Sequence, residues 1–492
     1  MFLNEISALH PYSPWLLATP NGLNAVFASL PAYKREAYAG IYADVKALPQ
    51  MVSVTGPRRV GKTTLLRQCI AQIVRTADNP LAQAQRVAYY SMDDPALSLP
   101  GADADAFFNQ LVAVAANMAQ DGSGLPVYLF LDEIQRFARW ELYLKKFYDL
   151  NTPVRFVVSG SASGPIFRKS RESLLGRIKD FHVLPFSFRE WAAVQQPSLT
   201  AAGLSALSEP FTPAWPPTNP VATPLEFVRW LSGLRFDDSA NEGLEQFLFD
   251  GGFPEVWQLP TLLAKQDYLY HNQVERVIFE DLLIAADFRK PEMLRRFYLG
   301  LLKDPGRESN LSQVAKSLEL DRRTIEGYFP LLEATDLVWR LHKHTSSKST
   351  PKAGNFKTYL VDLAVRNAVM KLSQQQMAAD APLMGHYAEN AVANHLRRWP
   401  GLVELGYWRH GPDELDFIAD LGAIQIGIEV KFRNEVQQKD ALKAAKLAQQ
   451  LKCQACIVVT KHAWGAAELA KAQAASPVPL AVVPLAAFLM LF

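Results

Sequence analysis

The sequence predicts an α/β fold: a doubly wound parallel sheet comes first, then a helical region, then a second α/β domain at the C-terminus. Three observations support this prediction. A glycine-rich loop separates an apolar segment from a helical run, two later apolar runs end in acidic or hydroxyl side chains, and acids alternate with a lysine near the C-terminus. Continuous apolar runs are typical of parallel strands that are buried on both faces. Because 492 residues exceed what one hydrophobic core supports, we expect several domains.

Composition places the chain among ordinary globular proteins, with 49% hydrophobic and 20% charged residues. Cys69, Cys453 and Cys456 include a single CxxC pair without the further ligands of a zinc site, so reduced, incidental thiols are expected. No apolar run reaches the length of a membrane span and the N-terminus does not resemble a signal peptide, so we expect a cytoplasmic protein without a membrane partner. A formal net charge of +2 gives no global attraction to nucleic acid.

A phosphate-binding loop is predicted where the letters GPRRVGKT meet the pattern GxxxxGK[ST]. The loop follows the apolar segment 51–55 and opens a helical run, so backbone N–H groups and the positive end of the helix dipole favour a bound phosphate. Lys62 is expected to neutralise the β- and γ-phosphates of ATP, and Thr63 to bind Mg²⁺. The predicted nucleotide-binding residues of the loop are Gly56, Pro57, Arg58, Arg59, Val60, Gly61, Lys62, Thr63 and Thr64.

Two later strands are predicted to complete the nucleotide site. The run VYLFL at 127–131 ends in Asp132 and Glu133. Asp132 is expected to hold Mg²⁺ together with Thr63, and Glu133 to orient or deprotonate the attacking water. The run RFVVS at 155–159 ends in GSAS, which predicts that Ser161 senses the γ-phosphate. Ser159 and Ser163 are alternatives, and serine is also an ordinary turn residue.

An arginine finger is expected shortly after the sensor strand. Arg168, Lys169, Arg171 and Arg177 all follow it, and Arg177 is the preferred candidate. Such a finger, supplied by a neighbouring subunit, would complete the charge neutralisation of phosphoryl transfer, which predicts a homo-oligomer. An arginine on an exposed helix is the commoner explanation for any one of these residues.

Several of these motifs together resemble one family. The stretches GPRRVGKTTLL, LDEIQRFARWELYLKKFYD, SGSAS, SLLGR, LPFSFREW and GGFPE are similar to AAA-type ATPases of bacteria and archaea that carry a C-terminal DUF4143 domain. The resemblance extends from about residue 34 to the C-terminus. It implies ATP use and an AAA+ sheet of the ASCE type, in which the sensor strand separates the P-loop strand from the Walker B strand. It indicates fold and ATP use rather than a biological role.

The segments around this ATPase core differ in composition. Residues 1–33 are expected to be an N-terminal extension, and the core itself is assigned to 34–194. Proline is abundant in 195–224, which predicts an irregular loop. Apolar stripes such as Phe227, Trp230, Leu231 and Leu234 predict a helical lid or connector over 225–302.

A winged helix is predicted over 303–358. Two short helices meet at a turn near 318–321, a strand follows, and the basic stretch 343–357 is expected to form the wing. Arg322, Arg323 and Thr324 begin the second helix and are the candidate DNA contacts. Winged helices also dock proteins, and Pro330 is expected to kink or shorten this helix.

The C-terminal part, 359–492, carries an acidic pattern. Glu389 lies in a helical run, and two alternating strands meet at Gly422 and Ala423. A tight hairpin there sets Asp416 opposite Glu429, with Lys431 on the same face. Facing carboxylates raise each other's pKa and require a positive charge nearby. Mg²⁺ or Mn²⁺ on Asp416, Glu429 and a backbone carbonyl is therefore expected, with Lys431 activating a water and Glu389 completing the site.

This spacing is similar to that of the PD-(D/E)xK nuclease family, which implies a restriction-endonuclease-like domain. Glu389, Asp416, Glu429 and Lys431 match the family's helix acid, two strand acids and lysine, although Glu414–Leu415–Asp416 replaces its proline–aspartate pair. The alternative is that Lys431 only forms an ion pair with Glu429 or Asp416. Two functions stay open. One is an ATP-driven enzyme that cleaves DNA, in genome defence or maintenance. The other is a non-cutting ATPase switch that binds DNA or a partner protein.

Overall fold

The computed structural model describes residues 11–19, 22–100, 102–120, 122, 124–161, 174–198, 226, 228, 230–231, 241–282, 291–344, 355–399, 401–422 and 424–491. The chain forms two compact units. The first comprises Met1–Leu184, Glu280–Phe288 and Ala334–Asp336, and the second comprises Pro185–Phe279, Arg289–Glu333 and Leu337–Phe492.

A five-stranded parallel sheet organises the first unit, in the order β2-β3-β4-β1-β5. Its strands are β1 (Met51–Gly56), β2 (Val87–Ser91), β3 (Tyr128–Asp132), β4 (Arg155–Ser161) and β5 (Ile178–His182). Its helices are α1 (Leu23–Val26), α2 (Tyr38–Ala47), α3 (Lys62–Arg75), α4 (Pro80–Ala84), α5 (Ala104–Ala119) and α6 (Trp140–Asp149), with 3₁₀ turns at Pro14–Leu17, Pro95–Ser98 and Ile134–Arg136. Every residue of β1 and β3 is buried, as expected for strands covered on both faces. Strand β4 lies between β1 and β3, as the family resemblance implies.

The predicted N-terminal extension is in part a packed element of this unit. Trp15 is buried, and its indole N–H donates to the carbonyl oxygen of Val87 at 2.8 Å. The Ser13 hydroxyl donates to the carbonyl of Tyr89 at 2.7 Å and accepts from its N–H at 2.8 Å. These bonds satisfy backbone groups of β2, which lies at the edge of the sheet. The composition of residues 1–33 did not indicate this packing, because side-chain hydrogen bonds to a strand edge leave no periodic pattern in the sequence.

The second unit contains a winged-helix arrangement. Its elements follow in the order α10 (Pro291–Leu301), β6 (Glu308–Ser309), α11 (Leu311–Leu318), α12 (Arg322–Ala334), β7 (Val338–His342) and β8 (Phe356–Leu360). The strands form an antiparallel sheet in the order β6-β8-β7. The predicted turn near 318–321 is confirmed, but the boundaries shift, because α10 precedes residue 303 and β8 continues beyond residue 358. The expected shortening at Pro330 is wrong: α12 continues to Ala334, and the neighbouring Phe329 and Leu332 are buried.

A mixed sheet in the order β13-β12-β11-β10-β9 forms the C-terminal part of this unit. Strands β9 (Glu404–His410), β10 (Asp413–Asp420) and β11 (Gln425–Lys431) pair antiparallel, while β12 (Ala455–Thr460) and β13 (Leu480–Pro484) continue in parallel from β11. The register places Phe417 opposite Ile428 and Asp420 opposite Gln425, so the next position sets Asp416 opposite Glu429. The predicted hairpin register is confirmed.

Helices cover this sheet and its surroundings. A Cβ added to Gly427 would lie 2.9 Å from the Cβ of Ala448, so the helix carrying Ala448 packs closely on β11. The remaining helices of the unit are α7 (Phe188–Gln195), α8 (Asn241–Asp250), α9 (Leu262–Leu269), α13 (Leu363–Val369), α14 (Gln374–Ala379), α15 (Ala381–Leu396), α16 (Gln438–Gln450), α17 (Ala466–Ala475) and α18 (Leu485–Leu489). A 3₁₀ turn at Val256–Gln258 and two π-helical segments, Tyr270–Glu275 and Val277–Asp281, complete the elements.

Some predictions fall outside the described residues. They concern Ser163, Arg168, Lys169, Arg171, Phe227, Leu234, Ala423, the wing itself and most of the proline-rich segment 195–224. In the described part of the chain, no helix is long and apolar enough to cross a membrane.

Candidate functional site

The predicted phosphate-binding loop joins the end of β1 to the start of α3. Gly56 and Gly61 have φ values of 146° and 90°, and Arg59 has a φ of 66°. A Cβ on Gly56 would lie 2.0 Å from the carbonyl oxygen of Val183, so this position excludes any side chain. The buried guanidinium of Arg35 donates to the carbonyl of Val60 at 2.8 Å and holds the loop from behind.

Lys62 lies across this loop. Its ammonium donates to the carbonyl oxygens of Gly56 at 3.0 Å and Pro57 at 2.7 Å. Burial lowers the pKa of Lys62, while the charges of nearby carboxylates, chiefly those of Glu133 and Asp132, act in the opposite direction. The ammonium is thus held at the loop, where the predicted phosphates bind.

Asp132 is the centre of a hydroxyl network at the end of β3. Its carboxylate accepts from Thr63 at 2.5 Å and from Tyr89 at 2.7 Å, and Ser159 also donates to it. The Thr63 hydroxyl and the Asp132 carboxylate are oxygen donors of the kind that Mg²⁺ prefers, and they lie side by side. These two residues therefore fit the predicted Mg²⁺ role.

Glu133 is positioned by Gln135, which lies within the stretch LDEIQRFARWELYLKKFYD. Gln135 donates to the Glu133 carboxylate at 2.5 Å and to the Ser161 hydroxyl at 3.1 Å, so it links the Walker B glutamate to the sensor strand. Burial raises the pKa of Glu133. Ser161 pairs with Gly56 in the β1–β4 register, which brings the predicted sensor to the phosphate-binding edge of the sheet.

Acidic residues from distant parts of the chain also lie at this edge. Asp281 binds the guanidinium of Arg58 with both carboxylate oxygens, and Glu280 lies 3.4 Å from the same group. His182 lies 3.1 Å from the Thr55 hydroxyl through Nδ1 and 2.9 Å from Asp336 through Nε2. No pattern in the sequence indicated these acids, because each is more than a hundred residues from the group that it binds.

The predicted finger, Arg177, lies at the other end of the sheet in its own chain. Its carbonyl accepts from the N–H of Met51, the first residue of β1, whereas the phosphate-binding loop follows the last residue. Its guanidinium pairs with Asp149 at 2.7 Å. Arg177 therefore does not serve the nucleotide site of its own chain, and its action on a neighbouring subunit stays a prediction.

A buried lysine occupies the centre of the C-terminal acidic cluster. The Lys357 ammonium lies 2.8 Å from Glu389, 2.6 Å from Glu414 and 3.4 Å from Asp416. The side chain is 4% exposed, and Tyr359 donates to Glu389 at 2.6 Å. The expectation that Lys357 ends a basic wing is wrong. Residue 357 belongs to β8, and its side chain is buried next to the acids with which it forms ion pairs.

The negative charges of Asp416 and Glu429, the two facing strand acids, also have partners within the chain. Lys431 forms an ion pair with Glu429, as the alternative interpretation expected, and the N–H of Val430 donates to Asp416 at 2.9 Å. Burial and the charge of Asp416 raise the pKa of Glu429 to about 8. Burial likewise raises the pKa of Glu389 to about 7.

The acids of the predicted divalent metal site are paired with lysines of the same chain. In the part of the chain that the structure describes, no group of three or more His, Cys, Asp or Glu side chains could hold a metal ion. The positive charges that the facing acids require come from Lys357 and Lys431. The Lys357 ammonium lies between the strand acid Asp416 and the helix acid Glu389, and a divalent metal ion on Asp416 and Glu429 stays a prediction.

The candidate DNA contacts lie where they were predicted, at the start of α12. Arg322 and Arg323 are exposed and Thr324 is half-buried. Arg322 forms an ion pair with Glu326 at 3.0 Å, one turn later on the helix. The N–H of Arg323 donates to the Asp321 carboxylate at 3.0 Å, which anchors the helix start.

Three protein families match successive parts of the chain. The family described as AAA domain matches residues 49–192, a domain of unknown function (DUF8612) matches 241–376, and a domain of unknown function (DUF4143) matches 384–480. Residues 49–192 form an AAA-type ATPase domain. The expected combination of such a domain with a C-terminal DUF4143 domain is thereby confirmed.

Relatives of known sequence are also similar to this chain. An uncharacterized protein of Methanocaldococcus jannaschii is 24% identical over 70% of this chain and 67% of its own length. An uncharacterized protein of Mycobacterium tuberculosis is 23% identical over 87% of this chain and 80% of its own length.

Solved structures are similar only at a low level. AMPPCP-bound DnaA from Aquifex aeolicus has a TM-score of 0.24 at 14% identity, covering 61% of this chain and 87% of that chain. Hsp104 with ATPγS and casein has a TM-score of 0.28 at 16% identity, covering 62% of this chain and 52% of that chain. Scores at this level carry no conclusion about function or assembly.

Proposed function

We propose that this protein is a cytoplasmic ATPase switch that binds DNA through its winged helix and does not cut it. The observation that carries the choice between the two open functions is the position of Lys357. Its ammonium supplies, from within the chain, the positive charge that a metal ion supplies in a nuclease.

The nucleotide site supports hydrolysis of ATP. Lys62 and the loop N–H groups bind the phosphates, and Glu133, held by Gln135, orients the attacking water and accepts its proton. Mg²⁺, when bound, supplies Lewis-acid charge beside the β- and γ-phosphates, and Thr63 and Asp132 are the residues that would hold it.

The winged helix supports DNA binding. Arg322 and Arg323 are exposed at the N-terminal end of α12, which is where a recognition helix contacts base edges or phosphates. Such helices also dock proteins, so a protein partner is the competing outcome of a DNA-binding measurement.

Removal of the lysine tests whether its charge compensates the buried acids, which is the observation behind the proposal. Breaking a buried ion cluster by removing one partner typically costs about 3–5 kcal/mol, because the remaining charges are left uncompensated. We therefore expect Lys357→Met to lower the free energy of unfolding by about that amount, measured by urea denaturation. Lys371→Met, which removes an exposed lysine paired with Asp267, is the matched control and should change stability little.

The decisive assay incubates the protein with single- and double-stranded DNA and RNA, in Mg²⁺ or Mn²⁺, with and without ATP. We expect ATP turnover that Lys62→Ala and Glu133→Gln abolish while the fold persists, and no cleavage in any condition. Undiminished turnover in either variant would contradict the assignment of the ATP site.

A second candidate function, metal-dependent cleavage in genome defence or maintenance, is favoured by one observation. Asp416 faces Glu429 in the hairpin register, and Lys431 and Glu389 belong to the same cluster. Cleavage that Lys431→Ala removes would establish this function and overturn the non-cutting switch. Loss of that cleavage in Lys62→Ala would further show that ATP controls it.

A further inference from the structure

The arginine at the third position of the phosphate-binding loop is held by acids from a distant segment. The guanidinium of Arg58 donates through Nε to Asp281 at 2.6 Å and through Nη2 to the other oxygen of the same carboxylate. Glu280 lies 3.4 Å from Nη2. Both acids end the π-helical segment Val277–Asp281, more than two hundred residues after the loop.

This pair is partly shielded from water. The Asp281 side chain is 6% exposed and that of Arg58 is 20% exposed. A two-point bond between a guanidinium and a carboxylate in such surroundings is stronger than an exposed ion pair. The structure therefore holds Arg58 on Asp281 rather than leaving it as a mobile surface side chain.

The same acids lie close to where ATP is expected to bind. The charges of Asp281 and Asp336, together with those of Asp132 and Glu133, act on the Lys62 ammonium at the loop. A nucleoside triphosphate brings further negative charge to the phosphate-binding loop, so it repels Asp281 and attracts Arg58. A planar guanidinium binds phosphate oxygens with the same two-point geometry that it uses for a carboxylate.

We propose that Arg58 helps to distinguish ATP from ADP, and that Asp281 and Glu280 form a latch that competes with the terminal phosphate for its guanidinium. This inference rests on the proposed function as an ATPase switch and names its trigger. When ATP binds, Arg58 moves from the acids to the γ-phosphate, and the segment Val277–Asp281 loses its attachment to the loop. ADP lacks the third phosphate, so Arg58 stays on Asp281.

Nucleotide affinities of matched variants test the latch. We expect Asp281→Asn to tighten binding of ATPγS about tenfold, the equivalent of one charge-assisted hydrogen bond, and to change ADP binding less than about threefold. Glu280→Gln, at an exposed position, should tighten ATPγS binding in the same direction by less. Asp267→Asn, which removes an exposed carboxylate paired with Lys371, is the control and should leave both affinities unchanged.

A double variant separates the latch from simple repulsion between Asp281 and phosphate. We expect Arg58→Gln to weaken ATPγS binding about tenfold. In the Arg58→Gln background, Asp281→Asn should then give much less than its tenfold gain, because the competition for Arg58 no longer exists. An equal gain in both backgrounds, or no gain in the single variant, would overturn the proposal.

Hydrogen exchange supplies a readout that does not depend on affinity. Amides of 277–281 should exchange faster with ATPγS than with ADP in the otherwise unmodified protein, and equally fast with both nucleotides in Asp281→Asn. Equal protection with ATPγS and ADP in the unmodified protein would show that the latch does not open. If that protein bound neither nucleotide, the proposed ATPase function would fail as well, whereas binding without these differences would refute the latch alone.

Discussion

At the scale of single residues, Gln135 decides how the Walker B glutamate is presented. It bonds both Glu133 and Ser161, while its side-chain oxygen is buried without a partner among the described residues. Glu133 itself adopts a left-handed backbone with a φ of 52°, which turns the chain directly after β3. The geometry thus depends on a neighbouring amide as well as on the motif.

We expect Gln135→Leu to lower kcat for ATP hydrolysis by about tenfold to a hundredfold while the nucleotide Kd changes less than about threefold. A positioned general base contributes about 10²–10⁴-fold, and this variant keeps the base but loses the hydrogen bond that orients it. Steady-state kinetics and nucleotide titration measure the two quantities. Gln120→Leu, at an exposed position of the same unit, is the control. A change in affinity with unaltered kcat would contradict the positioning role.

The surroundings of His395 lead to a prediction about how stability depends on pH. Its Nε2 accepts from the N–H of Phe188 at 3.0 Å and its Nδ1 lies 2.8 Å from the carbonyl of Ala391, so the ring is neutral. Burial, aided by the charge of Arg398, lowers the pKa of His395 to about 3. Because the unfolded chain takes up a proton near pH 6.5 and the folded chain does not, stability is lost as the pH falls below about 6.5.

Between pH 7.5 and 5.5, His395 should therefore remove about 1.4 kcal/mol from the free energy of unfolding. Urea denaturation at the two pH values measures this loss. His395→Phe should reduce the difference between the two pH values, whereas His386→Gln, at an exposed histidine, should preserve it. An unchanged difference in His395→Phe would show that other groups cause the pH dependence.

At the scale of elements, α12 combines a buried side with an exposed basic start. Ile325, Phe329 and Leu332 are buried, while Arg322 and Arg323 begin the helix in solvent. The helical period and the turn at Leu318–Asp321 were readable from the sequence because both are local. The extent of the domain was not, since α10 and β8 join it through packing.

Arg323→Ala should weaken DNA binding about fivefold to tenfold and lower the slope of log affinity against log salt by about one, if the side chain contacts a phosphate. Fluorescence anisotropy at several salt concentrations measures both quantities. Lys371→Ala, also exposed but outside the winged helix, should leave them unchanged. If Arg323→Ala kept its DNA affinity but lost binding to a protein partner, α12 would be a protein-docking helix.

At the scale of the whole molecule, the nucleotide site and the predicted finger occupy opposite ends of the parallel sheet. The loop follows Gly56 at one end of β1, and Arg177 bonds Met51 at the other. Arg177 can therefore take part in catalysis only at the nucleotide site of a second copy of the chain. This geometry makes the predicted homo-oligomer a requirement of the finger rather than an independent hypothesis.

Mixing two inactive variants tests the assembly. Glu133→Gln keeps the finger and loses the base, and Arg177→Ala does the reverse, so their mixture should recover measurable ATPase activity. Light scattering with ATP present should show a dimer or a larger ring. A monomer with full activity, or a mixture as inactive as its parts, would refute a finger in trans.

Features that depend on residue spacing within one segment could be predicted from the sequence. These features are the phosphate-binding loop, the acidic end of β3, the sensor strand and the hairpin that sets Asp416 opposite Glu429. They were predictable because the geometry of strands and loops converts short spacings directly into positions. Two contacts became visible only in the folded chain: Lys357 lies among the nuclease-like acids, and Asp281 binds Arg58. Each of these contacts joins residues far apart in the chain, and their charges meet because packing of the hydrophobic core brings distant elements together. Burial of a charge is costly, so each buried carboxylate or ammonium needs a partner of opposite charge at that place.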